Sequence, residues 1–273
     1  MKLRLWQVDA FAAKVLEGNP AAIVPLERFL DDDMLRRIAN ENNLAETAYL
    51  VHKAPGRYDL RWFTPESEVD LCGHATLASA WLVFEELEPA LKRVDFSTRS
   101  GILSVERGAD GRHVMSMPSD PLEPFEDAVL AREVGEALGT APPSQLVRSR
   151  YLIGVWNEAA KVRALRGCGD IARVLRPLGL WGCIATAPGD RDDSGGYDFV
   201  SRFFAPDKGV PEDPVTGSAH CALTPYWSGR LGKTVMKARQ ASPRGGDLIC
   251  THAGERTILA GPCALYMRGE IFV

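Results

Sequence analysis

The sequence reads RWFTP at residues 61–65 and RFFAP at residues 202–206, so that an arginine, two aromatic residues, a small residue and a proline occur twice, about half the chain apart. Soon after each proline an Ala- and Leu-rich segment begins, opened by CGHAT at 72–76 in the first half and by DPVTGS at 213–218 in the second. A strand, a turn and a buried helix in the same order, found twice, indicate a duplicated fold.

The repeat extends in both directions along the chain. Downstream, GILSV at 101–105 matches GDLIC at 246–250, and each reads as a strand followed by a Gly-containing turn. Upstream, AETAYL at 45–50 matches GCIATA at 182–187, and each follows a leucine-bearing amphipathic stretch. Four blocks in one order favour duplication over chance recurrence of short strings.

The duplication predicts an α+β fold with two pseudo-symmetric lobes, each a mostly antiparallel sheet rolled around a central helix. The three prolines between Pro118 and Pro124 mark a boundary. We therefore expect an N-terminal lobe at 1–118, with the last few C-terminal residues as a candidate completion of it, and a C-terminal lobe at 119–273. Two packed lobes would leave a cleft for a ligand.

Composition excludes several classes of function. The 273 residues are 45% apolar and 25% charged with a formal net charge of −4, which is typical of a globular protein and argues against a general nucleic-acid binder. Apolar runs are too short for a membrane span, and the N-terminus lacks the layout of a signal peptide. We expect a cytoplasmic protein with no membrane partner.

Cysteine and histidine spacing predicts no metal and no cofactor. The six cysteines form no C-x-x-C pair and are expected to be reduced thiols, while the five histidines show no ligand spacing. No G-x-G-x-x-G follows a strand and no phosphate-binding G-x-x-x-x-G-K-[ST] occurs, so that neither a dinucleotide nor a nucleoside triphosphate is expected.

The two buried helices begin at glycines, Gly73 and Gly217. A helix start presents unpaired N–H groups and a partial positive charge, which suits a carboxylate. The glycines could instead do no more than shape the turn into each helix. Because the feature occurs at both helix starts, we favour anion binding.

Three side chains are candidates for acid–base chemistry. Glu46 lies in the otherwise uncharged strand-like stretch 44–51, where burial would raise the pKa of its carboxyl towards neutrality, although an outward-facing glutamate fits the pattern equally well. His74, at a helix start, could donate a hydrogen bond or shuttle a proton, or could be a buried structural histidine. Asp213 precedes a helix, and capping alone would explain it.

Cys72 is an accessory candidate, because a helix N-terminus lowers the pKa of a thiol. Aligned with a one-residue insertion, the two halves set Cys72 opposite Pro214 and His74 opposite Thr216. The duplicated position therefore offers no second thiol. A mechanism with two opposed cysteines cannot run from these two positions.

In its ordered motifs the chain resembles the phenazine-biosynthesis isomerase (PhzF-like) family, which has the diaminopimelate-epimerase-like fold. The resemblance covers nearly the whole chain. The matching segments are DAF at 9–11, GNPA at 18–21, NLAETA at 43–48, RWFTP at 61–65, DLCGHAT at 70–76, EDPVTGSA at 212–219, Gln240, and SPRGG at 242–246.

This resemblance implies a two-lobed homodimer that needs no cofactor and isomerises a small carboxylate-bearing substrate. It implies that Glu46 relays a proton, as a glutamate does on a dihydro-hydroxyanthranilate in the family's characterised isomerase. His74 and Asp213 match polar groups beside the substrate. Residues that match the substrate-binding positions are Gly73, Gly217 and Ser218 at the helix starts, and Asn19 in the N-terminal segment.

The sequence is compatible with two other functions. Cys72 stands where the two-thiol epimerases of the same fold carry a cysteine, although the phenazine enzyme needs none there, so that an amino-acid epimerase or racemase using Cys72 with another base is one alternative. A non-catalytic protein that binds small carboxylates is the other. The favoured prediction is a cofactor-independent isomerase that moves a proton on a cyclic or open-chain carboxylate through Glu46.

Overall fold

The computed structural model describes residues 1–167, 169–190 and 196–273. The chain forms two compact units: unit 1 comprises Met1–Ser116 together with Ala260–Val273, and unit 2 comprises Met117–Leu259. Both units combine strands with a few helices, so that the predicted α+β class is confirmed.

Unit 1 is built on strands that surround one apolar helix. Its elements are β1 (Lys2–Ala10), β2 (Asn19–Leu26), α1 (Asp32–Asn42), β3 (Glu46–Ala54), β4 (Arg57–Phe63), β5 (Glu68–Val69), α2 (Gly73–Leu82), β6 (Arg93–Thr98), β7 (Gly101–Arg107), β8 (His113–Pro118) and the C-terminal strand, Cys263–Phe272. A π-helical turn, Val83–Leu87, continues α2.

The sheet of unit 1 wraps around α2. In it β1 pairs antiparallel with β2 and with the C-terminal strand, β2 pairs parallel with β3, β3 antiparallel with β4, β4 parallel with β6, and β6 antiparallel with β7. Helix α2 has no polar face, and its residues 74–80 are all buried against β1, β2, β3 and β7. A helix apolar on every side is stable only when neighbours cover all of it, which explains its central position.

Unit 2 contains β9 (Glu123–Phe125), α3 (Ala128–Ala137), β10 (Gln145–Arg148), β11 (Leu152–Val155), α4 (Ala159–Arg163), α5 (Ile171–Leu175), β12 (Cys183–Pro188), β13 (Phe199–Ala205), β14 (Val210–Asp213), α6 (Gly217–Leu231), β15 (Val235–Gln240), β16 (Gly246–Ala253) and β17 (Arg256–Gly261). Short 3-10 turns follow α5 and β13, at Arg176–Leu178 and Pro206–Lys208. The C-terminal strand of unit 1 is β18.

The strand pairing of unit 2 repeats that of unit 1. Here β10 pairs antiparallel with β11, β11 parallel with β12, β12 antiparallel with β13, β13 parallel with β15, and β15 antiparallel with β16. Both units therefore have the same order of parallel and antiparallel neighbours, which shows that the duplicated sequence blocks form equivalent strands.

The duplicated arginine has a structural explanation. Arg61 on β4 forms a bidentate ion pair with Glu68 on β5, with N–O distances of 2.7 and 2.6 Å. Arg202 on β13 makes the same pair with Glu212 on β14, with both distances 2.7 Å. In each unit the pair ties the strand to the short segment that leads into the buried helix.

The structure corrects the predicted alignment of the helix starts. Cys72 is the N-cap of α2 and Thr216 is the N-cap of α6, so that the counterpart of Cys72 is Thr216 and that of His74 is Ser218. The predicted alignment of Cys72 with Pro214 and of His74 with Thr216 is wrong by two residues. Short blocks cannot fix how many residues a connecting loop gains, whereas the cap is fixed by backbone conformation.

The upstream alignment is also shifted, by one residue. Thr47 lies opposite Phe63, and Cys183 lies opposite Phe204, so that Thr47 corresponds to Cys183. The strand position of Glu46 is therefore taken by Gly182 in unit 2, and the acidic residue is particular to unit 1.

Replacing Arg202 by Met is expected to lower the free energy of unfolding by about 3 kcal/mol, because it leaves the largely buried Glu212 carboxylate without its partner. Arg36→Met is the matched control, since the Arg36–Asp33 pair is exposed and should contribute less than about 1 kcal/mol. Urea unfolding of both variants measures the difference. Equal losses would show that the duplicated ion pair contributes no more than a surface pair.

Two further findings bear on the sequence predictions. None of the helices in the described ranges is long and apolar enough to cross a bilayer. Within those ranges the cysteines form no disulfide and are free thiols: Cys72, Cys183, Cys221, Cys250 and Cys263. Cys168, which was also expected to be reduced, lies outside the described residues.

Candidate active site

Four of the residues singled out in the sequence lie together in unit 1. Asn19 is the first residue of β2, Glu46 the first residue of β3, Cys72 the N-cap of α2, and His74 the second residue of that helix. Each thus stands where a strand or a helix begins, at one end of the sheet around α2.

Parallel pairing brings the first residues of β2 and β3 together. Ala21 lies opposite Glu46, which places Asn19 just before the paired segment. Asn43 caps the C-terminus of helix α1, and its left-handed backbone (φ 48°) lets its N–H bond to the Ala39 carbonyl and turns the chain towards β3. The side chain of Asn42 then donates to Thr47 at 3.1 Å and fixes the start of the strand.

The turn before Asn19 is tightly constrained. Gly18 has φ +65°, and a Cβ there would lie 2.2 Å from the carbonyl oxygen of Ala10, so that a side chain is excluded. Leu16 is also left-handed, and its N–H donates to Asp9 at 2.8 Å. This turn holds Asn19 in a position that is fully buried.

Short polar contacts surround the ring of His74. Its Nε2 lies 3.2 Å from Oε2 of Glu46, and its Nδ1 lies 3.2 Å from the amide nitrogen of Asn19 and 3.6 Å from the sulfur of Cys72. His74 is 5% exposed, whereas 18% of the Glu46 side chain is accessible. The carboxylate is therefore shielded but reachable, and Nε2 is a buried polar atom without an aligned hydrogen bond within the described residues.

Burial decides the charge of this histidine. Desolvation lowers the pKa of His74 to about 3, so that the ring is neutral near pH 7. A neutral imidazole has one N–H donor and one acceptor nitrogen. Glu46 thus faces a neutral polar group, which can orient a carboxylate without holding it permanently as one half of an ion pair.

One donor atom from each of Glu46, Cys72 and His74 lies within 4.8 Å of the others, a grouping that could hold a metal ion. However, Glu46 approaches Nε2 and Cys72 approaches Nδ1. Contacts at both ring nitrogens are also what hydrogen bonding and proton transfer require.

Asp213 belongs to a polar group in unit 2. It ends β14, and its carboxylate accepts a hydrogen bond from the hydroxyl of Thr216. The buried Gln240 fixes this loop, because its Nε2 donates to the Asp213 carbonyl at 2.6 Å and its Oε1 accepts from the Thr216 N–H at 2.8 Å. The N-cap of α6 is Thr216, so that capping by Asp213, one interpretation of the sequence, is wrong.

Gly217 and Ser218 are the first two residues of α6. The hydroxyl of Ser218 lies 2.8 Å from that of Tyr151. Burial raises the pKa of Tyr151 to about 12, so that the phenol stays protonated and can donate. Sequence reasoning gave no role to Tyr151 or Gln240. Gln240 stands in a matching motif, whereas nothing in the sequence near Tyr151 signals its contact with a residue so far along the chain.

Comparison with known proteins defines the class. A profile described as phenazine biosynthesis-like protein matches residues 8–269. An uncharacterised isomerase of Pseudomonas aeruginosa is 48% identical over 273 residues, which are 99% of this chain and 99% of that one. The crystal structure of a PhzF-family phenazine biosynthesis protein from Enterococcus faecalis is 40% identical, has a TM-score of 0.90 and covers 100% of both chains.

More distant structures share the fold. A hydroxyproline epimerase from Agrobacterium vitis is 11% identical with a TM-score of 0.61, covering 99% of this chain and 92% of that chain. The fold is thus diaminopimelate-epimerase-like, as predicted. The isomerase class follows from the relatives, two of which are named isomerases and are 48% and 39% identical to this chain. The chain belongs to the phenazine biosynthesis-like protein family.

Proposed function

We propose that the protein is a cofactor-independent isomerase that moves a proton between carbon atoms of a small substrate, cyclic or open-chain, that carries a carboxylate. Glu46 is the group that carries the proton. The observation that supports this most is the position of the Glu46 carboxylate, shielded at the start of β3 and 3.2 Å from Nε2 of a neutral His74.

The proposed reaction has two steps. Glu46 takes a proton from one carbon, and the electron pair of that C–H bond delocalises into the conjugated or carboxylate-bearing part of the substrate. The protonated Glu46 then gives its proton to a second carbon, which forms a new C–H bond and returns the carboxylate. One group acts first as base and then as acid, so that no other reactant is consumed.

Negative charge develops on the substrate between these steps and must be stabilised. The starts of α2 at Gly73 and of α6 at Gly217 offer backbone N–H groups of the kind that bind carboxylates. We assign Gly73, Gly217, Ser218 and Asn19 to the substrate-binding set, and Asp213 to the catalytic set with Glu46 and His74. The support for Asp213 and Ser218 is the family resemblance and the ordered contacts of both side chains.

We further propose that the enzyme acts in the cytoplasm as a homodimer, as members of the family are expected to do. The free thiols of the described residues are compatible with a reducing compartment. Light scattering after size-exclusion chromatography tests the assembly: a particle of twice the 29.9 kDa chain mass supports the dimer, and a monomer at every concentration contradicts it.

A second candidate function is epimerisation of an amino-acid-like substrate by Cys72 together with another base. Its support is the 3.6 Å contact between the Cys72 sulfur and Nδ1 of His74, through which a thiol could be deprotonated. The counterpart of Cys72 in unit 2 is Thr216, which cannot serve as a second thiol.

A deuterium-exchange screen tests the proposed function. Cyclic and amino-acid-like carboxylates are incubated with the enzyme in deuterated water, and mass spectrometry reads deuterium bound to carbon. A carboxylate that is isomerised or exchanged supports an isomerase. If carboxylates bind, as measured by calorimetry, and none is isomerised or exchanged, the protein is a binding protein.

The Cys72→Ala variant separates the two enzymatic candidates. We expect turnover to change by less than about tenfold, because a group that carries no proton in the reaction should not contribute the 100-fold or more of a general acid or base. Initial rates on the first active carboxylate measure this, with Cys263→Ala, a cysteine without an assigned role, as the control. Loss of turnover in Cys72→Ala alone would favour the epimerase.

A further inference from the structure

The two nitrogens of His74 have different surroundings. The amide nitrogen of Asn19 lies 3.2 Å from Nδ1, and the Glu46 carboxylate lies 3.2 Å from Nε2. Both neighbours come from strand starts that the parallel pairing of β2 and β3 holds side by side. The ring is therefore set between a group that donates hydrogen bonds and a group that accepts them.

This setting selects one tautomer. The Asn19 amide is assigned with its nitrogen towards Nδ1, and because an amide nitrogen can donate but cannot accept, Nδ1 is the acceptor in this contact. A neutral ring with an unprotonated Nδ1 carries its hydrogen on Nε2, the nitrogen that lies 3.2 Å from the Glu46 carboxylate. The thiol of Cys72, at 3.6 Å, can also act as a weak donor to Nδ1 and so favours the same tautomer.

We infer that Asn19 is a positioning residue that holds His74 as the neutral tautomer with its hydrogen on Nε2, facing Glu46. This inference deepens the proposed function and rests on it for its catalytic meaning. It gives Asn19 a role in the free enzyme, in addition to the substrate-binding role that the resemblance implies. The side chain of Asn19 is fully buried beside His74, as expected of a residue that acts through another.

The tautomer has a consequence for the proton on Glu46. When Nε2 already carries a hydrogen, it cannot accept the proton that Glu46 has taken from the substrate. The proton then stays on the carboxyl group until the second carbon receives it. With the opposite tautomer, Nε2 would be an acceptor, and the proton could pass to the ring and from there be lost.

The contact between Asn19 and His74 depends on the tight turn that precedes Asn19. Gly18, whose conformation admits no side chain, leads directly into Asn19, and Asn19 lies opposite Ala10 at the end of the β1–β2 ladder. The buried amide cannot exchange its partner for solvent. Asn19 therefore presents its amide to His74 in the absence of any substrate, which allows the inference to be tested on the free enzyme.

Nitrogen-15 NMR of the ring nitrogens reads the tautomer directly. The free enzyme is labelled in its histidines, and the signals of His74 are assigned by their loss in His74→Gln. We expect a protonated Nε2 and an unprotonated Nδ1 that do not change between pH 6 and pH 8. A hydrogen on Nδ1, or a charged ring at pH 7, would overturn the inference.

Asn19→Asp tests whether Asn19 sets this state. A carboxylate of nearly the same shape can only accept, so that Nδ1 should gain a hydrogen and its signal should shift to that of a protonated nitrogen. Asn157→Asp is the control, because the exposed Asn157 accepts from Ser144 through its oxygen and a carboxylate keeps that bond. An unchanged His74 signal in Asn19→Asp would refute the positioning role.

A second variant keeps the test decisive if Asn19→Asp does not fold. Asn19→Leu removes the amide at similar volume and leaves the Cys72 thiol, a weak donor at 3.6 Å, as the contact of Nδ1, so that the His74 signals should then report a mixture of the two tautomers. A pure Nε2–H tautomer in this variant would overturn the inference. These NMR measurements need no substrate, so their outcome is independent of the exchange screen. The tautomer assignment can fail while the enzyme still exchanges carbon-bound hydrogen, and it can hold while no carboxylate is exchanged.

Discussion

Glu46→Gln is expected to lower turnover by about 100- to 10,000-fold, the range that a positioned general acid–base group contributes. Glutamine keeps the size of the side chain and an oxygen acceptor in the place of the carboxylate, but it cannot take a proton from carbon. The loss should therefore fall on kcat, with little change in KM. Initial rates on a carboxylate found by the exchange screen measure both constants.

A matched control separates chemistry from folding. Glu41 lies five residues earlier, on α1, and is exposed. Glu41→Gln makes the same change of charge and should leave turnover unaltered. Thermal unfolding should be similar in both variants, because Glu46 is reachable by solvent and the substitution leaves no cavity. If Glu46→Gln retained more than about a tenth of the activity, Glu46 would not be the proton carrier.

The second large effect expected is a loss of stability in mild acid. Burial lowers the pKa of His74 to about 3, and those of His113 and His220 to about 4. In the unfolded chain a histidine titrates near pH 6.5. Below that pH the unfolded chain therefore binds protons that the folded chain does not, and the free energy of unfolding falls as pH falls.

The expected slope is steep. Between about pH 6 and pH 5 these three histidines bind protons almost entirely in the unfolded chain, so that the free energy of unfolding falls by up to about 4 kcal/mol per pH unit. Above about pH 7.5 they have no effect on it. The buried Asp120, whose pKa is raised by desolvation, opposes this trend with a single group. Urea unfolding at a series of pH values measures the slope.

The His113→Phe variant tests how much one buried histidine contributes to this dependence of the free energy of unfolding on pH. His113 stacks on Phe84, and both of its ring nitrogens lack a hydrogen-bond partner among the described residues. Phenylalanine should fit the same space and reduce the slope by about a third. A stability that is flat from pH 7 to pH 4.5 in the wild type would contradict the assignment of buried, neutral histidines.

Much of the fold could be read from the sequence because duplication leaves a visible pattern. The stretches at 61–65 and 202–206 became the equivalent strands β4 and β13, and the apolar segments that follow became the buried helices α2 and α6. The exact correspondence of Cys72 with Thr216 could not be read, since it depends on the backbone path of a loop rather than on side-chain type.

The sequence allowed individual residues of the candidate site to be predicted, but not the contacts between them. Helix-start glycines and an isolated acid in an apolar strand are local signals, and they pointed to Gly73, His74 and Glu46. The contact between Asn19 and His74 joins residues 55 positions apart through the parallel pairing of two strands. Such a contact follows from topology and register, which no local pattern of residue types specifies.

The central claim is that one carboxylate both removes and returns the proton. The most direct test is a carboxylate substrate labelled with deuterium at the carbon that loses its hydrogen, converted by the enzyme in ordinary water. If Glu46 alone carries the proton, and the ring of His74 already has a hydrogen on Nε2, part of the deuterium should appear on the neighbouring carbon of the early product. Product without any deuterium, formed equally well by Glu46→Gln, would contradict the claim.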